Sequence, residues 1–346
     1  MNNLDSELRE LIANALECDV NSIKPDSGLG KHFNWDSLGH VAVMVALEDK
    51  YGIEINDRNI ESLSNFTAIK EYVKKNTNFD LVTVIMPAYN PDKRLMKKAI
   101  ASVFSQTYPN IELVIGDDGS QIAIEDYLDL LISDLNNPNN VKVKIIRNSN
   151  NHGISSARNT AINNSLGKWL VWLDSDDSLQ DDCIKNLMDE SDLFDLVIGE
   201  CIVYDDNTIS RRKPKSLFSL AKEYYGTEKD PFLLNIISIQ PQLILKSELM
   251  DIGAFNEHFH YAELTELFLR YISIKGLDKV NFIENAVYNY YRNRENSHST
   301  NRKELFRYRL EALTNYKNFL KISSADLEYV ERDSLTGFQK YKLKII

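Results

Sequence analysis

Apolar residues in the first 75 positions recur every three or four residues, a spacing that predicts amphipathic helices. One helix is predicted over residues 4–16 and a third over residues 66–75. Between them, after a loop with proline and glycine breakers, a second helix begins near Ser37 and ends before Gly52. On this second helix we expect five apolar side chains to face inward: Leu38, Val41, Ala42, Val45 and Leu47.

The pattern changes after residue 80, where short β-branched runs alternate with helical stretches. Strands are predicted over 81–86, 111–116, 141–147 and 169–173, with helices between them. This alternation is typical of an α/β fold, Rossmann-like, with a mainly parallel sheet and flanking helices. Ligands of such sheets bind beyond the carboxyl ends of the strands. We expect four segments: a helical domain over 1–75, a linker over 76–80, an α/β domain over 81–304 and a helical C-terminal extension over 305–346.

Charge and cysteine content narrow the classes of partner and compartment. The chain of 346 residues has a net charge of −11, so we expect no nucleic-acid partner. Its three cysteines are far apart and odd in number, which favours a reducing compartment over a disulfide-bonded fold. The polar N-terminus is unlike a signal peptide, and no apolar run approaches the ~20 residues of a membrane span. We expect a cytoplasmic protein whose membrane contact is at most peripheral, at the inner face.

The tripeptide DSL, with Ser37 at its centre, opens the second predicted helix. A serine there can cap the helix, although Asp36 can do so instead. Residues 4–75 also resemble an acyl carrier protein along their whole length, on four features: this tripeptide, a first loop containing Pro25, the stretch ALEDKYGIEI and the stretch FTAIKEYV. The resemblance implies a small four-helix bundle in which Ser37 receives a 4′-phosphopantetheine arm from a phosphopantetheinyl transferase. The 14 acidic against 8 basic residues in positions 1–80 agree with docking to basic partners.

Three stretches of the larger domain each follow a predicted strand and carry polar or acidic residues. They are VIMPAYNPD (84–92), ELVIGDDGS (112–120) and GISSARNTAINNSLGKWLVWLDSDDSL (153–179). In this order they resemble family 2 glycosyltransferases of the GT-A fold, and the resemblance extends to about residue 300. It implies a metal-dependent inverting transfer of sugar from a nucleotide-sugar donor, with a uridine diphosphate sugar expected. Negative charge grows on the leaving diphosphate, and a hard cation held by carboxylates offsets it.

The resemblance also assigns roles to residues of these stretches. It implies that Asp176 and Asp177 hold Mn²⁺ or Mg²⁺, and that Asp174 faces the ribose or the water shell of the metal. Asp118 matches an aspartate that accepts a hydrogen bond from uracil, and Tyr89 matches an aromatic residue that lies against the base. Three further residues are expected to line the nucleotide: Pro87, Asn90 and Arg158. For Tyr89 and Asn90, packing at a strand end is an equal alternative.

An inverting transfer needs a general base to accept the proton of the acceptor hydroxyl. In the family this is usually the aspartate of a Glu-Asp pair that precedes an apolar helix ending in arginine. The corresponding segment is YAELTELFLRYISIKG (261–276), and alignment on Arg270 places Glu263 and Leu264 at the pair. Glu263 is therefore the candidate base, with Glu266 one turn further on. Both acids can instead be solvated or paired with Arg270.

Residues 288–309 resemble the closing lid of the family, and within them His298 is a candidate for the metal shell. The leading hypothesis is a glycosyltransferase fused to a carrier domain, acting in surface polysaccharide or glycoconjugate synthesis on a glycan, lipid-linked or carrier-bound acceptor. The alternative is a non-catalytic carrier or scaffold protein whose transferase-like domain binds a nucleotide sugar or a partner without turnover. The sequence defines neither the sugar, the acceptor nor the cargo of the arm.

Overall fold

The computed structural model divides the chain into two compact units, Met1–Phe79 and Asp80–Ile346. The structure describes residues 3–53, 55–76, 79–205, 208–212, 242–292, 301–316, 318–319, 328–330 and 342–344. Among the described residues, no helix is long and apolar enough to cross a membrane.

The smaller unit consists of three α-helices and two 3₁₀ turns. The helices are α1 (Asn3–Ala15), α2 (Ser37–Tyr51) and α3 (Phe66–Asn76), and the turns cover Val20–Ser22 and Ile60–Leu63. Gly52 ends α2 in the left-handed region, with φ of 61°, a conformation that costs glycine little. The helices share one apolar core, which includes Leu8, Ile12, Trp35, Leu47 and Ile69. The fourth helix of the expected bundle is thus the short 3₁₀ turn at Ile60–Leu63.

The buried face of α2 differs from the predicted one. His40, Val43, Met44, Leu47 and Tyr51 face the core. The exposed fractions of three residues expected inside are large: Leu38 81%, Val41 52% and Val45 49%. The prediction was wrong for these three because α2 is apolar on two sides, and periodicity alone does not show which side meets the other helices.

In its described residues, the larger unit is built on a nine-stranded sheet. The strands are β1 (Val82–Ala88), β2 (Ile111–Asp117), β3 (Lys142–Arg147), β4 (Trp169–Trp172), β5 (Ser178–Leu179), β6 (Leu196–Asp205), β7 (Thr208–Arg212), β8 (Gln242–Leu245) and β9 (Val280–Tyr291). Their order in the sheet is β3-β2-β1-β4-β8-β6-β9-β5, with β7 paired to β6. The first four strands are parallel, as the alternation predicts. Strand β8 then pairs antiparallel with β4 and β6, so the second half of the sheet is mixed.

Helices cover both halves of this sheet. They are α4 (Lys93–Phe104), α5 (Leu128–Ile132), α6 (Ile154–Asn163), α7 (Cys183–Met188), α8 (Lys246–Asp251), α9 (Glu263–Lys275) and α10 (Arg302–Asn315). Every residue of β1 and β2 is buried, which explains their continuous apolar runs. Helix α6 lies very close to β2: a Cβ atom added at Gly116 would stand only 2.2 Å from the carbonyl oxygen of Ala157. A side chain at this position would push α6, and the residues it carries, off the sheet.

The described part of the C-terminal region is not all helical, in contrast to the extension expected from residue 305. Helix α10 ends at Asn315, and two short strands, β10 (Glu328–Val330) and β11 (Lys342–Lys344), pair antiparallel. Of the segment expected to form a lid, residues 288–291 complete strand β9 and residues 302–309 lie in α10. His298 lies outside the described residues.

Candidate active site

The loops after the parallel strands meet at one edge of the sheet. The amide of Asp118, just after β2, donates to the carbonyl of Ala88 at the end of β1 (2.8 Å). The amide of Asn148, just after β3, donates to the carbonyl of Asp117 (2.8 Å). Because parallel strands end at the same edge, residues about 30 positions apart in sequence are brought together here.

Asn90 ties the loop after β1 to the loop after β2. Its backbone is in the left-handed region, with φ of 45°, which asparagine tolerates better than most residues. Its amide donates to the Ser120 hydroxyl (2.9 Å), and its side-chain oxygen accepts from the amide of Gln121 (2.7 Å). The neighbouring Tyr89 is 48% exposed, so its ring is open to a ligand, whereas Pro87 is buried within β1. Asn90 is exposed as well and holds the loop through its two hydrogen bonds, so Tyr89 and Asn90 are the accessible residues of this group.

Asp118, the candidate base reader, is engaged with the protein itself. Only 2% of its surface is exposed. Its carboxylate accepts from the side-chain amide of Asn148 (2.8 Å) and from the backbone amides of His152 (3.1 Å) and Gly153 (2.7 Å). Gly153 has φ of 98° and directly precedes α6. In the structure Asp118 therefore anchors the loop that leads into α6. A direct hydrogen bond from uracil to Asp118 would require this loop to move.

Arg158, one turn into α6, forms the centre of the site. Its side chain is fully buried, with no exposed surface. One guanidinium nitrogen donates to Asp174 (2.9 Å), just beyond β4, and another donates to Glu263 (2.5 Å) at the start of α9. Burial acts to lower the pKa of Arg158, but the charges of Glu263 and Asp174 hold it above the ordinary value. Arg158 thus joins two carboxylates that are far apart in sequence, and its expected place beside the nucleotide stays a prediction.

Asp177 also points into the protein. It is 2% exposed, and its carboxylate accepts from the Tyr288 hydroxyl (2.8 Å) and the Tyr291 amide (3.0 Å), both on β9. Burial, followed by the charges of Asp176 and Asp174, raises the pKa of Asp177 well above its usual range. Both oxygens thus accept hydrogen bonds within the protein, and the role of Asp177 as a metal ligand stays a prediction.

The two candidate bases, Glu263 and Glu266, both lie in the first turn of α9 but have different partners. Glu263 is held by Arg158, directly after Ala262, whose φ of 56° is unusual for a residue other than glycine. Leu264, at the position where the family usually has its base, is buried in the apolar core. Glu266 is 2% exposed and pairs with Arg270 (2.9 Å). Of the two acids, only Glu263 is in contact with the Arg158–Asp174 group.

The remaining carboxylates suit a divalent cation in part. Among the described residues, no group of three or more His, Cys, Asp or Glu side chains is arranged to hold a metal ion. Asp174 and Asp176 are half-buried beside each other after β4, whereas Asp177 faces inward. Mg²⁺ is commonly held by one or two carboxylates together with substrate phosphates. The pair Asp174 and Asp176 fits that arrangement.

In the smaller unit the helix cap leaves Ser37 available. Asp36 is the N-cap of α2, and its carboxylate accepts from the amide of Gly39 (2.9 Å). Ser37 is exposed in the first turn, where the amides of a helix N-terminus favour a phosphate. Trp35 is fully buried, and its indole nitrogen donates to His40 (3.1 Å). Trp35, directly before the cap residue Asp36, is therefore part of the core of the smaller unit.

The sequence analysis missed Tyr288 and Tyr291, the two residues that hold Asp177, because they were assigned to a lid. The alternation in the run VYNYY places Tyr288 and Tyr290 on one face of a strand and could have indicated Tyr288, whereas Tyr291 holds Asp177 through its backbone amide, which no side-chain pattern indicates. The role of Arg158 as a clamp had no local signal, since Glu263 is 105 positions away.

Comparison with known proteins identifies two families. Residues 83–251 match the family described as glycosyl transferase family 2, and residues 6–73 match the phosphopantetheine attachment site. An uncharacterized glycosyltransferase of Rickettsia prowazekii is 28% identical over 59% of this chain and 63% of its own length. The GalNAc(5)-diNAcBac-PP-undecaprenol β-1,3-glucosyltransferase of Campylobacter jejuni is 27% identical over 53% of this chain and 57% of its own. The chain spans between 41% and 63% of the first curated relatives that it matches.

Among solved structures, TarS of Staphylococcus aureus in complex with UDP-GlcNAc matches with a TM-score of 0.51 at 17% identity. The match covers 68% of this chain and 67% of the solved chain, which is TarS 1–349. At this level of identity the likeness shows the fold alone, which is the GT-A fold predicted from the sequence.

Proposed function

The chain contains a family 2 glycosyltransferase domain and a phosphopantetheine attachment domain, and on that premise we propose an inverting glycosyltransferase with a covalently loaded carrier. The donor is a uridine diphosphate sugar, and the acceptor is a hydroxyl group of a glycan, a lipid-linked sugar or a carrier-bound molecule. The observation that carries the proposal is the Arg158 clamp, because it brings Glu263 to the carboxylates beyond β4.

Glu263 acts as the general base in this proposal. Its carboxylate accepts the proton of the acceptor hydroxyl as that oxygen bonds to the anomeric carbon of the donor sugar. The bond from the anomeric carbon to the diphosphate breaks on the opposite face, so the anomeric configuration inverts. Arg158 orients the Glu263 carboxylate through a charge-assisted hydrogen bond of 2.5 Å.

Asp174 and Asp176 would hold a divalent cation, Mn²⁺ or Mg²⁺, which when bound offsets the charge that develops on the leaving diphosphate. Tyr89, half exposed next to the Asn90 turn, provides the surface against which the uracil ring lies. The solved complex of TarS with UDP-GlcNAc supports a nucleotide-sugar donor for this fold.

Release of UDP from UDP-GlcNAc and UDP-glucose in the presence of Mn²⁺ tests the proposal. We expect Glu263→Gln to lose turnover while it still binds UDP, because the amide retains the shape but accepts no proton. Glu266→Gln is the matched control on the same helix, and we expect lower stability with turnover retained, since its partner is Arg270. Binding of UDP without turnover in the wild-type protein, across a panel of acceptors, would instead support the non-catalytic carrier.

Loading of the carrier is tested separately by intact mass. After incubation with coenzyme A and a phosphopantetheinyl transferase, we expect the wild-type chain to gain one phosphopantetheine arm and Ser37→Ala to gain none. Because Asp36 caps the helix, Ser37→Ala is expected to fold as stably as the wild type. An equal mass gain in both proteins would refute Ser37 as the attachment site.

A further inference from the structure

Three arginines lie near Tyr290, on the side of the larger unit where the carboxylates of the candidate active site lie. Arg212 ends β7, Arg292 follows β9 directly, and Arg309 lies on α10. We refer to Arg212, Arg292 and Arg309 as the arginine cluster. None of them belongs to the three stretches that follow predicted strands, although Arg292 and Arg309 lie in the segment that resembles the lid, and the Arg158 clamp does not include them.

The strand register fixes the direction of Arg212. Cys201 on β6 is paired with Arg212 on one side and with Tyr288 on the other, so the three side chains share one face of the sheet. Tyr288 donates from this face to Asp177 (2.8 Å). Tyr290 lies two residues further along β9 and therefore points the same way. Arg212 is thus presented toward the candidate active site.

Arg292 is placed by two contacts. Its backbone amide donates to the carbonyl of Tyr204 at 2.8 Å, which continues the β6–β9 pairing by one residue. Its guanidinium carbon lies 5.9 Å from the centroid of the Tyr290 ring, within the range of a cation–π contact. The Tyr290 ring therefore contacts Arg292. Arg212 and Arg309 both lie close enough to Tyr290 to interact with it electrostatically.

The cluster concentrates positive charge in a partly buried place. Burial, and then the charge of Arg292, lowers the pKa of Arg212. Burial, and then the charge of Arg212, lowers the pKa of Arg309 to about 10. The charge of Glu263, which pairs with Arg158, acts on the pKa of Arg309 in the opposite direction. A positive field of this kind in a chain of net charge −11 marks a site for an anion.

From this geometry we propose that the arginine cluster binds a phosphate or diphosphate group of the acceptor. The proposal rests on the proposed function, because Glu263 accepts the proton of the acceptor hydroxyl and Arg309 lies within electrostatic range of Glu263. A guanidinium group offers two parallel N–H donors that match phosphate oxygens, and three of them from separate elements can surround one anion. The acceptor is therefore anionic next to the sugar that receives the transfer.

Inorganic pyrophosphate is the probe, titrated calorimetrically into the full chain in buffer with Mg²⁺, with and without saturating UDP. We expect pyrophosphate to bind in both conditions. Arg212→Gln and Arg309→Gln should weaken its affinity roughly tenfold to hundredfold, the range for loss of a hydrogen bond to a charged group. Arg292→Gln, at a half-buried position, is a third variant in case a more buried one fails to fold. Lys303→Gln, exposed on the same helix as Arg309, should change nothing.

The outcomes separate the two proposals. Unchanged affinity in the arginine variants, or an equal loss in Lys303→Gln, would overturn the anion site. If pyrophosphate binds only without UDP, the anion belongs to the donor, and the acceptor assignment fails. If UDP itself does not bind while pyrophosphate affinity still depends on the arginines, the anion site stands and the proposed donor is wrong.

Discussion

Replacement of Arg158 by methionine removes the guanidinium that joins two distant carboxylates. Arg158 has no exposed surface, whereas the side chains of Asp174 and Glu263 are 28% and 13% exposed. In Arg158→Met both carboxylates lose a charge-assisted hydrogen bond and the positive charge between them. Breaking one partner of a buried ion pair costs about 3–5 kcal/mol, and the residual exposure of the carboxylates argues for the lower end, about 3 kcal/mol.

This loss is measurable by urea and thermal unfolding of the full chain, with tryptophan fluorescence as the signal. Trp169 and Trp172 lie in β4 of the larger unit and Trp35 lies in the smaller one, so the data are fitted with one transition for each unit. For a unit of this size, a loss of about 3 kcal/mol corresponds to a decrease in Tm of roughly 6–12 °C. Only the transition of the larger unit should move.

Two variants serve as comparisons. Arg158→Lys retains the charge but not the two-pronged geometry, and we expect an intermediate loss of stability. Arg94→Met removes an exposed arginine on α4 and should change the free energy of unfolding by less than about 0.5 kcal/mol. If Arg158→Met unfolds with the same midpoint as Arg94→Met, the clamp contributes nothing and the reasoning about Glu263 loses its support.

Two further predictions concern the loop before α6 and the thiols. Asp118→Asn replaces one acceptor oxygen by a donor that faces donors, so we expect a loss of about 1–3 kcal/mol and faster hydrogen exchange in the loop that Asp118 anchors. Burial raises the pKa of the Cys183 thiol, and it raises that of Cys201 to about 12. Both therefore stay protonated at pH 8, and iodoacetamide should label only the half-buried Cys18 in the folded protein but all three in denaturant.

Each of these two predictions has a clear opposing result. Unchanged exchange in Asp118→Asn would mean that the loop is held by other contacts. Rapid labelling of Cys183 or Cys201 under native conditions would contradict the burial of α7 or β6, where they lie.

The order of strands and helices in the larger unit could be predicted over residues 81–173 because each element there has a clean periodicity. Strands β1, β2 and β4 are fully buried, and polar loops bound all four of the first strands. Their parallel order follows from the helices between them. The antiparallel strand β8 and the pairing of β6 with β9 could not be predicted, because they join segments that are far apart in the chain. The inward face of α2 was mistaken because both of its faces carry apolar residues.

For the candidate site, the sequence predicted the positions of the carboxylates but not their partners. The positions of Asp118, Asp174, Asp176 and Asp177 at strand ends follow from local pattern, since a loop directly after a parallel strand lies at the ligand edge. What each carboxylate does there depends on partners elsewhere in the chain. Arg158 turned out to be a clamp and Asp177 a buried acceptor.

The sequence by itself determined where the acidic loops and Ser37 lie, because both are set by short-range rules of strand ends and helix starts. The tertiary structure decided which of these groups face a ligand and which are held by the protein. The physical reason is that the hydrogen-bond donors of a buried carboxylate come from residues that only the folded sheet brings together, 30 positions away for Asp118 and more than 100 positions away for Glu263 and Asp177.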